Sequence, residues 1–163
     1  MTTLLVPMSI KGLMLDPVSN SPIVVLKDDD EKFFLPIWVG IFEANAIALQ
    51  LENVSTPRPM THDLLKNVLG EVDAHVTRVV INDLRESTFF AQIRVNTAGR
   101  TLEIDARPSD AIALALRVEA PIFVAQTVLD QAQTITPESA DDEEKVKKWF
   151  EQLGPDELGK YKM

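Results

Sequence analysis

The sequence predicts an α+β fold made of two β-β-β-α units, with antiparallel or mixed sheet packed on apolar helices and an amphipathic helix at the C-terminal end. Three observations carry this expectation. Two groups of short apolar segments, within residues 8–39 and 74–106, are punctuated by turn residues in the manner of strands. Each group runs directly into a segment that is apolar nearly all round, as a helix buried against sheet must be. Finally, Val146, Trp149, Phe150 and Leu153 fall at i, i+3, i+4 and i+7, one stripe of a helix.

Taken in order, Met8 to Leu15, Pro22 to Leu26 and Lys32 to Val39 read as strands. Asp16-Pro17 with Ser19-Asn20-Ser21 separates the first two, and the acidic run Asp28 to Glu31 forms a solvated hairpin tip between Lys27 and Lys32. Gly40 then opens a helix reaching about Glu52, with Glu43 in its first turn, where the helix dipole favours a carboxylate. Ser55 to Met60 contains Pro57 and Pro59 and cannot be regular, because each proline lacks an amide donor and restricts its predecessor.

Helix resumes near Thr61. Leu64, Leu65, Val68 and Leu69 form its apolar face, Gly70 closes it, and His62 and Lys66 lie on the other side. Ala74 to Asn82 and Thr88 to Asn96 read as strands joined by residues 83–87, and Ala98-Gly99 turns the chain into a third, Leu102 to Ala106. Alternation there places Glu103, Asp105 and Arg107 on one face. Pro108 ends the strand and suits a first helical turn, so Arg107 sits at a strand-to-helix corner with Asp110 just inside the helix. The echo between Ala46 to Leu51 and Ala111 to Leu116 suggests a duplicated unit. Pro121 to Val124 reads as a last short strand, and Gln126 to Pro137 as a polar linker. The expected organisation is one domain over residues 1–130, followed by a linker and amphipathic appendage over 131–163.

Composition narrows the function. A net charge of −9 over 163 residues argues against a general grip on polynucleotide, which depends on basic side chains replacing counterions. RNA or DNA would have to meet a local site. The absence of cysteine excludes disulfides and thiolate metal sites. No stretch of about 18 uninterrupted apolar residues occurs, and the start lacks the pattern of a secretory signal. The expectation is a cytoplasmic protein with no membrane partner. Walker, GxGxxG, HExxH and Gly-x-Ser-x-Gly motifs are all missing, and Ser109 lacks a histidine spaced to serve as its base. What remains is rich in carboxylates: Glu43, Asp63, Asp105 and Asp110 with His62 are donors suited to Mg²⁺ or Mn²⁺, while Arg58 and Arg107 are planar forks suited to phosphate.

Three ordered blocks at these residues resemble the bifunctional nuclease family of bacteria and plants. They are Leu35-Pro36-Ile37-Trp38-Val39-Gly40 followed by Glu43, then Arg58-Pro59-Met60-Thr61-His62-Asp63-Leu64-Leu65, then Ile104-Asp105-Ala106-Arg107-Pro108-Ser109-Asp110-Ala111-Ile112. The resemblance implies a compact α+β domain, a homo-oligomer, and a divalent-metal-associated activity on RNA and DNA. The expected site has His62, Asp63, Asp105, Arg107 and Asp110 as catalytic groups. Glu43, Asp105 and Asp110 would hold Mg²⁺ or Mn²⁺, and Arg58 with Arg107 the phosphate. The C-terminal helix is a candidate for the contact between subunits. The alternative is a non-catalytic regulatory or protein-interaction module, in which Asp105-Arg107 and Asp110-Arg58 are structural ion pairs.

Overall fold

A computed structural model describes residues 3–132. The amphipathic stripe Val146 to Leu153 and most of the expected appendage lie outside the described residues. Strands β1 (Leu5–Leu15), β2 (Pro22–Asp28) and β3 (Phe34–Trp38) form an antiparallel meander, followed by helices α1 (Ile41–Leu51) and α2 (Thr61–Glu71). A second meander, β4 (His75–Arg85), β5 (Thr88–Thr97) and β6 (Arg100–Ala106), leads into α3 (Pro108–Val118), then β7 (Ile122–Ala125) and α4 (Gln126–Gln131).

Both β-β-β-α units are present, and β7 joins them into a single mixed sheet. Seven strands run in the order β3-β2-β1-β7-β4-β5-β6, with Ile122 opposite Met8 on one side and Val79 on the other. The β7–β1 pair is antiparallel and the β7–β4 pair parallel. No described helix is long and apolar enough to cross a membrane.

The core forms where the inward-facing residues of the sheet meet α1 and α3. Ile23, Ile37, Ile47, Ile81, Ile112 and Leu114 are completely buried, each contributing about 1.5–3 kcal/mol of transfer free energy. α3 behaves as its composition requires: Pro108, Ser109 and the whole run Ala111 to Ala115 are buried. Arg107 is its N-cap and Pro108 its first residue, the predicted corner.

Four elements depart from expectation. α1, apolar nearly all round, buries only Ala44 and Ile47 and leaves Ile41 and Phe42 exposed, because only one of its faces meets the core. β4 continues to Arg85, because Glu86 and Ser87, both with positive φ, make a two-residue turn in place of a longer loop. Residues 126–131 are helix, not linker, since Val128 and Leu129 anchor them in the core. Most consequentially, α2 is turned inside out. His62 is buried at 8% exposure while Leu64, Leu65 and Val68 face outward. α2 packs chiefly on α3, so its polar attachments to α3, that of His62 among them, decide its rotation.

Candidate functional site

The attachment of His62 is the centre of the site. Nε2 of His62, in the first turn of α2, lies 2.9 Å from Oδ1 of Asp110, in the first turn of α3. The other carboxylate oxygen of Asp110 accepts a 2.9 Å hydrogen bond from Nε of Arg107, whose terminal NH2 donates to Oε1 of Glu43 at 2.8 Å. Four side chains from three helix starts thus form one chain, His62-Asp110-Arg107-Glu43. The local reasons are legible. Glu43 and Asp110 occupy first turns, where the helix dipole favours acids, and Pro108 aims Arg107 back across the corner. Gly40 leaves the space that Glu43 fills, because a Cβ there would collide with Oε2 of that residue.

Electrostatics lock the arrangement. Burial opposes ionisation of Asp110, but hydrogen bonds from Arg107 and His62 outweigh it and hold the carboxyl below the usual aspartate range. An ionised carboxylate only accepts hydrogen bonds, so Nε2 of His62 is the donor to Asp110 and Nδ1 is the ring nitrogen not spent on that contact. Arg107 is pushed further toward its charged form by Asp110 first and Glu43 second. Its side chain stays 53% exposed, and with two N–H groups committed it keeps three donors. A cavity of about 330 Å³ opens on the cluster, lined by Glu43, His62, Arg107 and Asp110 together with Phe42 and Met60. Phe42 is 83% exposed.

The remaining expected residues fall elsewhere. Asp63 is adjacent to His62 in sequence but turns away. Its Oδ2 accepts the Met60 amide at 3.0 Å and its Oδ1 accepts Nε of Arg117 at 2.7 Å. The Met60 hydrogen bond acts first to hold its pKa down; burial opposes it, and Arg117 adds to the lowering. Asp63 and Arg58 line a second cavity of about 330 Å³ with Asn67 and Arg117. Asp105 is not brought to the cluster. In the β5–β6 register it lies opposite Gln92, while its neighbours Ile104 and Ala106 pair with the core residues Ile93 and Ala91. Asp105 therefore faces the opposite side of the sheet. The ion pairs Asp105-Arg107 and Asp110-Arg58 expected under the interaction reading are replaced by Arg107-Asp110 and Arg107-Glu43. Ser109 is fully buried, away from the cavity lining.

Sequence reasoning missed Arg117. Its side chain is 3% exposed, and it donates to Ala113 O at 2.8 Å, Ala46 O at 3.0 Å and Asp63, tying α1, α2 and α3 together. Its signal was available: it is the one charge in the otherwise apolar run Ala111 to Val118, and a buried charge requires partners.

The geometry now bears on a divalent cation. Glu43 and Asp110 each spend an oxygen on the guanidinium between them, and His62 spends Nε2 on Asp110. Among the described residues no three His, Asp or Glu side chains gather as a metal cage. As folded, this donor set suits an arginine and not Mg²⁺ or Mn²⁺.

Comparison of the sequence with known proteins places the chain in a known class. A sequence model of the bifunctional nuclease domain matches residues 24–137, and the chain belongs to that family. It is 36% identical over 157 residues to an uncharacterized protein of Mycobacterium tuberculosis, covering 90% of this chain and 94% of that one. Bifunctional nuclease 1 of Arabidopsis thaliana is 29% identical over 144 residues, 81% of this chain and 44% of its own length. Bifunctional nuclease 2 of Oryza sativa subsp. japonica is 28% identical over 122 residues, 72% of this chain and 38% of its own. The chain spans less than half the length of these plant nucleases. Membership places it among nuclease-like proteins at the level of the family.

Proposed function

We propose that this protein hydrolyses phosphodiester bonds of single-stranded RNA or DNA at the His62-Asp110-Arg107-Glu43 cluster. The observation that carries the reading is the hydrogen-bonded chain itself, set in one open cavity of a nuclease-family domain. Arg107, held by two carboxylates, keeps donors for the non-bridging phosphate oxygens and the charge that grows on them. Water attacks phosphorus as Nδ1 of His62 takes its proton. The imidazolium, steadied by Asp110, then protonates the leaving sugar oxygen as its bond to phosphorus breaks. Phe42 at the rim offers a face on which an unpaired base can stack. Arg58 lines the neighbouring cavity and in this reading holds an adjacent phosphate. A Mg²⁺ or Mn²⁺ cofactor is expected from the family resemblance, but no step here runs through one, since the donor set does not fit.

The test is hydrolysis of single-stranded RNA and DNA by clean full-length protein, in chelator and with added Mn²⁺. His62→Gln and Asp110→Asn should each lower the rate about 10²-fold or more while the protein stays folded. Activity that survives both substitutions excludes this site.

One observation favours the interaction-module alternative: Arg107 is already neutralised by Glu43 and Asp110, as a purely structural lock would be. Thermal melting separates the readings. The catalytic one expects Arg107→Ala to be folded and inactive, whereas a structural lock loses its melting transition.

A further inference from the structure

Beside the cavity on the His62-Asp110-Arg107-Glu43 cluster lies the second one, also of about 330 Å³, a volume that suits a small ligand. Leu49 lines both, and the segment Arg58-Pro59-Met60 runs from one into the other, with Arg58 and Pro59 in the second and Met60 in the first. The two hollows therefore adjoin. One wall of the second is the irregular segment 54–59. Pro57 and Pro59 fix their own φ there, and the Thr56 hydroxyl donates to the Arg58 carbonyl at 2.7 Å.

Charge in this cavity is opposite in sign to that of the chain. Its lining holds Arg58, Arg117 and a single acid, Asp63, in a protein of net charge −9. Asp63 is already spent, one oxygen on Arg117 and the other on the Met60 amide. Arg58 is exposed and forms no ion pair among the described residues, so its five N–H donors stay available. A guanidinium left free beside a cleft is a fork that a phosphate group can accept in a bidentate grip.

Two further features have no use for a bare anion. Gln50, near the end of α1, and Asn67, in the second turn of α2, bring side-chain amides to the lining. Neither amide has a hydrogen-bond partner among the described residues. Each presents a donor and an acceptor together, the pattern that reads the edge of a nucleobase. Leu49, Val54, Pro57 and Pro59 supply apolar surface on which the face of a base can lie. We propose that the second cavity is a nucleotide subsite, in which Arg58 holds the phosphate next to the scissile one and Gln50 with Asn67 reads the attached base. The inference rests on the proposed hydrolysis for its place on the strand, and adds that the protein selects the base flanking the cut. Binding of a mononucleotide needs no hydrolysis.

The test is calorimetric titration of full-length protein with the four 5′-mononucleotides, the matching nucleosides and inorganic phosphate. At least one mononucleotide should bind about tenfold or more tighter than phosphate or its own nucleoside, and the four bases should differ by about tenfold. Arg58→Gln should weaken that nucleotide about tenfold or more. Gln50→Ala with Asn67→Ala should level the four bases. Thermal melting should be unchanged in both variants, since none of these three side chains anchors another described residue. Phosphate binding as tightly as any nucleotide, binding that ignores Arg58→Gln but is lost in Arg107→Gln, or no binding of any mononucleotide each overturns the subsite. Those results leave the reaction standing if RNA or DNA is still cut and Asp110→Asn abolishes the cutting. Conversely, Arg58-dependent nucleotide binding by a protein that cuts nothing supports the subsite and removes only the reaction.

Discussion

A methyl group added at Gly40 would land on Oε2 of Glu43, which makes the smallest residue in the region a determinant of where that carboxylate sits. φ at Gly40 is −71°, so the backbone would accept alanine and the conflict is purely one of space. Gly40→Ala should therefore leave the fold intact while displacing Glu43 from Arg107. The expected outcome is loss of the Arg107-Glu43 coupling energy in a double-mutant cycle with Glu43→Gln, together with reduced hydrolysis; an unchanged cycle would show that Glu43 tolerates the methyl group. Glu43 was legible as a candidate from its place in a first turn. Its partnership with Arg107, 64 positions away, was not, because nothing local to either residue encodes their approach.

Among elements, α2 teaches the most. Hydrophobic periodicity puts Leu64, Leu65 and Val68 inside, and the fold puts them outside. Two attachments override the pattern: His62 to Asp110, and Asp63 to Arg117. Periodicity identifies which residues share a helix face but not which neighbour that face meets. Arg117 is the stronger fastener, since its guanidinium satisfies two carbonyls and a carboxylate from three helices. Arg117→Ala removes the side-chain donors that tie the Ala46 and Ala113 carbonyls across the helices and leaves Asp63 without its cation. With Asp63 about one-third exposed, the expected cost is about 2–3 kcal/mol, read as a lower midpoint in urea with an unchanged slope. Arg117→Lys should recover only part of it, because an ammonium cannot reproduce the planar fork.

At the scale of the whole molecule, three buried or half-buried aspartates tie stability to pH. Burial raises the pKa of Asp16, but the Trp38 indole N–H at 3.0 Å and the amides of Val18 and Ser19 prevail and lower it. Asp63 and Asp110 are lowered as well. A folded-state pKa below the unfolded value gives stability that is fully present above about 3.9 and disappears as pH falls through the folded value. The melting temperature should thus change little between neutral pH and about pH 5 and fall steeply below about pH 4. Asp110→Asn should make that fall shallower. An equally steep fall in this variant would remove Asp110 from the set.

The two meanders, the buried character of α3, and the corner at Arg107-Pro108 were determined by the sequence alone, because alternation, all-round apolarity and proline act on residues close in the chain. Tertiary structure alone decided that β7 would join the meanders into one sheet, that Asp105 would face away from Asp110, and that His62 would be buried while Leu64 was not. Each of these depends on contacts between distant segments, where a hydrogen bond or ion pair withdrawn from water outweighs the local pattern.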